Sequence, residues 1–207
     1  APVGPRRFAP PAPLPHSTDE FSAQTDAAIP PQLPSRLEIA MGPSPASQSE
    51  DCLTLTIWSP ANQGEKLPVL VWFHGGAFMS GGGSLPWYSG APLARSERIV
   101  VVSVNSRLGA LGYLRLAGVS DGNNGLLDQL ASLRWVQQCI GAFGGDRDAV
   151  TVAGQSAGAF AVLALTVLPE GKQLFRRAIL QSGPFALAPT AEAGEERGAF
   201  FAKTLEI

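Results

Sequence analysis

The 207-residue sequence predicts an α/β domain built on a mostly parallel sheet flanked by helices. Three observations lead there. Two continuous apolar runs, 69–73 and 99–104, have the composition of strands buried on both faces. The stretch 124–140 carries Leu126, Leu130, Leu133, Val136 and Ile140 at spacings of three and four, the period of an amphipathic helix. Short strands then alternate with helical stretches along the chain, as parallel strands joined by helical crossovers do.

The elements follow in order. Residues 1–46 hold 11 of the 18 prolines. Proline fixes φ and removes a backbone donor, so this segment is neither regular helix nor central strand. We expect an extended segment wrapping the domain, anchored by Phe8, Leu14, Phe21, Ile29 and Leu33; a flexible linker is the alternative. Residues 53–58 alternate apolar and polar side chains, a strand pattern, and Gly64-Glu65-Lys66 is a turn. The strand 69–73 runs directly into His74-Gly75-Gly76-Ala77-Phe78, and the glycine-rich loop Gly81-Gly82-Gly83 separates it from the strand 99–104. Asp121 or Asn123 is the candidate cap of the helix 124–140, which Gly141 and the Gly144-Gly145 pair end. A strand at 149–153, a helix at 159–168, a short strand at 178–181 closed by Ser182-Gly183-Pro184, and a helix at 191–205 complete the reading.

Hydrophobic residues make up 45% of the chain and charged residues 15%, a globular composition. The net charge of −2 is spread without basic or acidic blocks, which argues against nucleic acid or an anionic membrane as partner. No apolar run is long enough for a transmembrane segment. Two cysteines, Cys52 and Cys139, and two histidines, His16 and His74, form no metal-ligand pattern, so neither metal nor cofactor is expected. The compartment stays open, with a lean to the cytoplasm.

Gly154-Gln155-Ser156-Ala157-Gly158 has the form G-x-S-x-G between a strand and a helix. There it reads as a nucleophile elbow, a tight turn that exposes one serine at the start of a helix. Flanking glycines suit backbones too close for a Cβ. The double glycine after the strand 69–73 lets backbone amides approach a ligand. Gly75, Gly76 and Ala157 are therefore candidate oxyanion donors, with Ser156 as candidate nucleophile. His74 is expected to be structural and His16 solvent-exposed. Phe78, Trp87 and Phe185 are either pocket-lining or core aromatics.

Further stretches carry a resemblance: Ser49-Glu50-Asp51-Cys52-Leu53-Thr54-Leu55, Val104-Asn105-Ser106-Arg107-Leu108-Gly109, Gly125-Leu126-Leu127-Asp128-Gln129, Leu133-Arg134-Trp135-Val136, Ala142-Phe143-Gly144-Gly145-Asp146 and Ala178-Ile179-Leu180-Gln181-Ser182-Gly183. With the HGGAF loop and the serine elbow, in this order, the chain resembles the type-B carboxylesterases of the α/β-hydrolase fold. The resemblance implies hydrolysis of a small-molecule carboxylic ester through an acyl-enzyme on Ser156, with Gly75, Gly76 and Ala157 holding the oxyanion. Gln155 stands where the family often has Glu, and Ser106 where it often has Tyr. Cys52 matches a cysteine that is disulfide-bonded in many secreted members, but no upstream partner is present.

The family's triad runs serine, acid, histidine. No histidine follows Ser156, and Glu170, Glu192, Glu195, Glu196 and Glu206 come too soon to match the acid. With the absent initiator methionine, this leads us to expect a piece of a longer esterase, a sheet incomplete at both ends, and the triad acid and histidine beyond Ile207. The alternatives are a non-catalytic binding or adhesion module of the same fold, or an enzyme completed by a complementing chain. A truncated sheet would leave an unpaired strand edge near Ile179, with an apolar face uncovered, and make the 207-residue chain poorly soluble or loosely packed.

Overall fold

The computed structural model describes residues 1–13, 22–43, 46–62, 64–183 and 189–205. Leu14, His16, Phe21, Pro184, Phe185 and Glu206, named above as an anchor, an exposed histidine, an anchor, a strand stop, a pocket aromatic and a late acid, lie outside the described residues. The elements are α1 (Glu38–Met41), β1 (Leu55–Trp58), β2 (Leu67–Phe73), α2 (Ala91–Glu97), β3 (Val100–Val104), α3 (Gly109–Tyr113), β4 (Arg115–Leu116), β5 (Ser120–Asp121), α4 (Asn124–Cys139), β6 (Gly145–Gln155), α5 (Ala157–Val167), α6 (Gly171–Leu174), β7 (Arg177–Gln181) and α7 (Ala191–Thr204).

Five strands form the main sheet in the order β1-β3-β2-β6-β7. Only β1 runs antiparallel, against β3. The rest is parallel, with Val71 opposite Val102 on one side and Val152 on the other, and Gln155 opposite Gln181. β3 is buried on both faces, as its apolar run predicts. β2 is not. Val69, Val71 and Phe73 are buried while Leu70 and Trp72 are only half-buried, because Trp72 meets the Tyr88 ring at 6.2 Å instead of a closed core. The buried core joins Val69, Val71 and Phe73 of β2 to Val150 and Val152 of β6, Leu133, Val136 and Ile140 of the α4 side, and Val162 and Leu165 of α5. Removing this apolar surface from water is the main term holding the layers together.

Two local expectations are corrected. Neither Asp121 nor Asn123 caps α4 with its side chain: Asn123 stands at the N-cap in the left-handed region, φ 58°, and its carbonyl accepts from Leu127 N at 3.0 Å. Leu33 is 80% exposed and anchors nothing, whereas Ile29 is buried and bridges to Gln48. Phe8 is half-buried and its carbonyl accepts from Asn124 Nδ2 at 2.8 Å. β6 is much longer than its apolar segment. Near its start Asp146 is half-buried and Arg147 and Asp148 are exposed, beside a register shift between Leu67 and Val69 of β2.

Two buried side chains bond the backbone of Arg7, Ala9 and Ala28. Asn105 accepts from Gly83 N at 2.6 Å and donates to Ala28 O at 3.1 Å and Thr54 Oγ1 at 3.0 Å. Arg107 donates to Arg7 O at 3.1 Å and Ala9 O at 2.7 Å. At the other side, β7 is the edge strand among the described residues. All five of its residues are exposed, Ile179 by 45%.

Candidate active site

β2 and β6 are neighbours, with Phe73 opposite Gly154, so the residues that follow them emerge side by side at the carboxyl end of the sheet. After Gln155 the chain turns sharply at Ser156 into α5. Ser156 has φ 52° and ψ −119°, a conformation that L-residues rarely adopt and that costs on the order of 1–3 kcal/mol. Its surroundings hold it there: Ser156 N donates to Gln181 O of β7 at 2.8 Å, and its carbonyl accepts from Phe160 N at 3.1 Å.

The two glycines of G-x-S-x-G are required by close packing. A Cβ on Gly154 would lie 2.4 Å from the Gly158 carbonyl, and one on Gly158 would lie 2.0 Å from Phe73 O and 2.8 Å from His74 O. A side chain at Gly154 would push α5 off β6, and one at Gly158 would push it off β2. The double glycine packs equally close. A Cβ on Gly75 would meet Gln155 Oε1 at 2.4 Å and Ser156 Cβ at 3.4 Å, and Gly76 has φ +121° with Ser80 O where its Cβ would be. Gly75 and Ser156 are therefore direct neighbours. Within the described residues no hydrogen bond takes the amide of Gly75, Gly76 or Ala157. Ala157 is the first residue of α5, where helix geometry leaves amides unpaired.

His74 is buried, and its ring lies on Tyr88 at 5.9 Å with a 29° tilt. Its Nδ1 is 2.7 Å from Gly75 O. A carbonyl only accepts, so Nδ1 carries the proton. Burial pushes the pKa of His74 below its ordinary value of 6.5, against a weaker opposing effect of the Gly75 bond. His74 is thus a neutral ring engaged with its own loop. Phe78 has φ 60° and contacts Tyr113 at 4.9 Å and Phe160 of α5 at 6.2 Å. Trp87 does not join it. It lines a small separate cavity of about 140 Å³ with Ile29, Gln32, Leu33 and Leu85.

Among the described residues, the acidic side chains after Ser156 lie in solvent-facing ion pairs or on an exposed helix. Glu170 pairs with Arg134, Glu195 pairs with Arg115 at 2.9 Å, and Glu192 and Glu196 are exposed on α7. Among the described residues no group of three His, Cys, Asp or Glu is placed to hold a metal, and no helix is long and apolar enough to cross a membrane. Cys52 and Cys139 are both free thiols. One part of the site was not evident from the sequence: the Gly81-Gly82-Gly83 loop lies against His74 and is held by Gln32, far upstream. A Cβ on Gly81 would lie 2.5 Å from His74 Nδ1. The run of three glycines was the only local sign.

Comparison with known proteins bears on this geometry. The model of the Carboxylesterase family matches residues 1–205. The chain is 51% identical over 184 residues to a Probable N-octanoylanthranilate hydrolase of Rhodococcus erythropolis, covering 87% of the chain and 40% of that protein. It is 42% identical over 202 residues to the Para-nitrobenzyl esterase of Bacillus subtilis, covering 96% and 41%, and 41% identical over 203 residues to the Cholinesterase of Mus musculus, covering 93% and 34%. A solved thermophilic PNB esterase superposes with a TM-score of 0.92 at 42% identity, over 100% of this chain and 43% of that one. The chain thus spans well under half the length of the relatives it matches.

Proposed function

The chain belongs to the carboxylesterase family, and from that premise we propose that the protein hydrolyses small-molecule carboxylic esters with Ser156 as nucleophile. The fold is that of the α/β-hydrolases. The observation that carries the proposal is Ser156 on its strained turn, φ 52°, directly beside Gly75. A strained residue at the head of a helix, facing unpaired amides, has a use in acyl transfer and none in packing.

In the proposed reaction Ser156 Oγ adds to the ester carbonyl and gives its proton to a base. The carbonyl oxygen becomes an oxyanion, received by the amides of Gly75, Gly76 and Ala157. The C–O bond to the alcohol then breaks, the alcohol leaves with the proton, and the acyl group stays on Ser156. Water attacks that ester, the acid leaves, and Ser156 recovers its proton. Losing one oxyanion donor costs about 2.7–4 kcal/mol of barrier. We assign the base to a histidine oriented by a carboxylate, and not to His74, whose ring is buried against Tyr88 and makes no hydrogen bond to Ser156 among the described residues. Residues 1–46 are proposed as a strap of this same domain, through the bonds of Asn105 and Arg107.

The test is Ser156→Ala in the full-length protein, with para-nitrophenyl ester hydrolysis and fluorophosphonate labelling as readouts. Both should vanish, with turnover falling on the order of a millionfold. Undiminished hydrolysis would remove the assignment.

A further inference from the structure

We propose that Gln32 is a positioning residue for the oxyanion loop, holding Gly81 against the His74–Gly75 hydrogen bond and so setting the direction of the Gly76 amide. This rests on reading Gly75 and Gly76 as oxyanion donors.

The Gln32 carboxamide makes two bonds to one distant residue. Its Oε1 accepts from Gly81 N at 2.7 Å, and its Nε2 donates to Gly81 O at 2.7 Å. The remaining Nε2 hydrogen goes to Pro30 O at 3.0 Å, and the backbone N of Gln32 donates to Gln48 Oε1 at 2.8 Å. The side chain thus acts as a peptide-like clamp whose own backbone is pinned. Gly81 is buried with φ +106°, and its missing Cβ would sit 2.5 Å from His74 Nδ1 and 2.8 Å from Gly75 O. It packs directly on the bond between those two atoms.

That bond matters because of peptide geometry. No peptide in the described chain is cis. In a trans peptide the carbonyl and the following N–H point in opposite directions. Holding Gly75 O on His74 Nδ1 therefore turns the Gly76 N–H to the far side of the same plane. The peptide after Gly76 is fixed separately, its carbonyl accepting from Met79 N and Ser80 N, both at 3.0 Å. The Gly75–Gly76 peptide has two glycine partners and would otherwise rotate freely. His74 is its tether, Gly81 is the wall behind the tether, and Gln32 holds the wall.

A residue that only filled space there could be replaced by a hydrocarbon of equal length. A residue that sets amide direction could not, because the loss would appear in the transition state and not in substrate binding. The experiment is Gln32→Met in the full-length protein. It reads kcat and KM on para-nitrophenyl acetate, affinity for phenylboronic acid as a tetrahedral analogue, and the melting temperature. The expected result is a kcat lower by about tenfold, boronate affinity lower by the same factor, and KM within about twofold. Unchanged kcat, or a lower kcat with unchanged boronate affinity, overturns the proposal. Gln32→Glu keeps the acceptor for Gly81 N and loses the donor to Gly81 O, and it must shift kcat and boronate affinity together in the same direction. If neither variant folds, Gln32 serves the fold alone and the proposal falls. Hydrolysis by the Ser156→Ala protein would remove the underlying functional reading instead, whatever Gln32 does.

Discussion

Arg107 and Asp128 meet as a two-pronged ion pair, Nε to Oδ2 at 2.8 Å and Nη2 to Oδ1 at 2.7 Å, with both side chains almost completely buried. Asp128 also accepts from Arg107 N at 3.0 Å. The pair links the end of β3 to α4, and the free Arg107 Nη1 reaches the carbonyls of Arg7 and Ala9. Removing one member leaves an uncompensated buried charge, which costs about 3–5 kcal/mol. We predict that Asp128→Asn lowers the unfolding free energy of the full-length protein by that amount, measured by urea denaturation. Replacing both members with apolar residues should not restore parent stability, because the Arg7 and Ala9 carbonyls would lose their donor. Limited proteolysis should then cut first near residues 1–13.

Gly158→Ala places a methyl group 2.0 Å from Phe73 O, a backbone atom that cannot swing aside. Helix α5 must move, and Ser156 moves with it relative to Gly75. A displacement of about 1 Å at a reacting centre can cost on the order of a hundredfold in rate. The expected outcome is a turnover number lower by about that factor in a protein that still folds. Gly141→Ala is the control, since a Cβ there meets nothing within 4 Å, and it should leave turnover unchanged. Equal activities for the two variants would contradict the packing account.

The pH dependence of stability should carry the mark of His74. Its folded pKa is depressed by burial, so the unfolded chain takes up a proton at a pH where the folded chain does not. Stability from this residue is therefore complete above the ordinary value of 6.5 and is lost as pH falls from there toward the depressed folded value. We predict a falling urea midpoint between neutral pH and pH 5, and a flatter profile over that window in His74→Asn. Parallel profiles for the two proteins would refute the assignment.

Cys52 is buried without exposure, and desolvation pushes its thiol up to about 12, with a smaller contribution from the Asp128 charge. The thiolate is the reactive form. At pH 8 iodoacetamide should modify the half-buried Cys139 and spare Cys52 until the protein unfolds, as read by peptide mass spectrometry. Prompt labelling of Cys52 in the native protein would contradict its burial.

Much of the fold was legible because its strongest signals are local. Val100 to Val104 form a run of the kind a strand buried on both faces carries, and the α4 leucines keep a helical period. Helix α2 was missed: its residues have no apolar period, and Pro92 at its start reads as a loop residue unless the first-turn position is known. The two-residue strands β4 and β5 are too short to show any period. At the site, Gly154, Gly158, Gly75 and Gly76 could be singled out because each absent Cβ answers to a backbone across a narrow gap. The clamp of Gln32 on Gly81 could not, since nothing local in either stretch reports a bond between residues so far apart.

The order of strands in the sheet also has a kinetic meaning. Gly75 follows β2 and Ser156 follows β6, and these strands pair directly although α2, β3, α3 and α4 lie between them in the chain. Such pairing must close a long loop before it gains anything, so it belongs to the slow part of folding. Until β2 and β6 align, the serine turn has no wall to strain against and Gly75 has no neighbour in Ser156. Labelling of Ser156 should consequently lag behind helix formation during refolding, and covalent capture of this one hydroxyl would time the closure of the whole sheet.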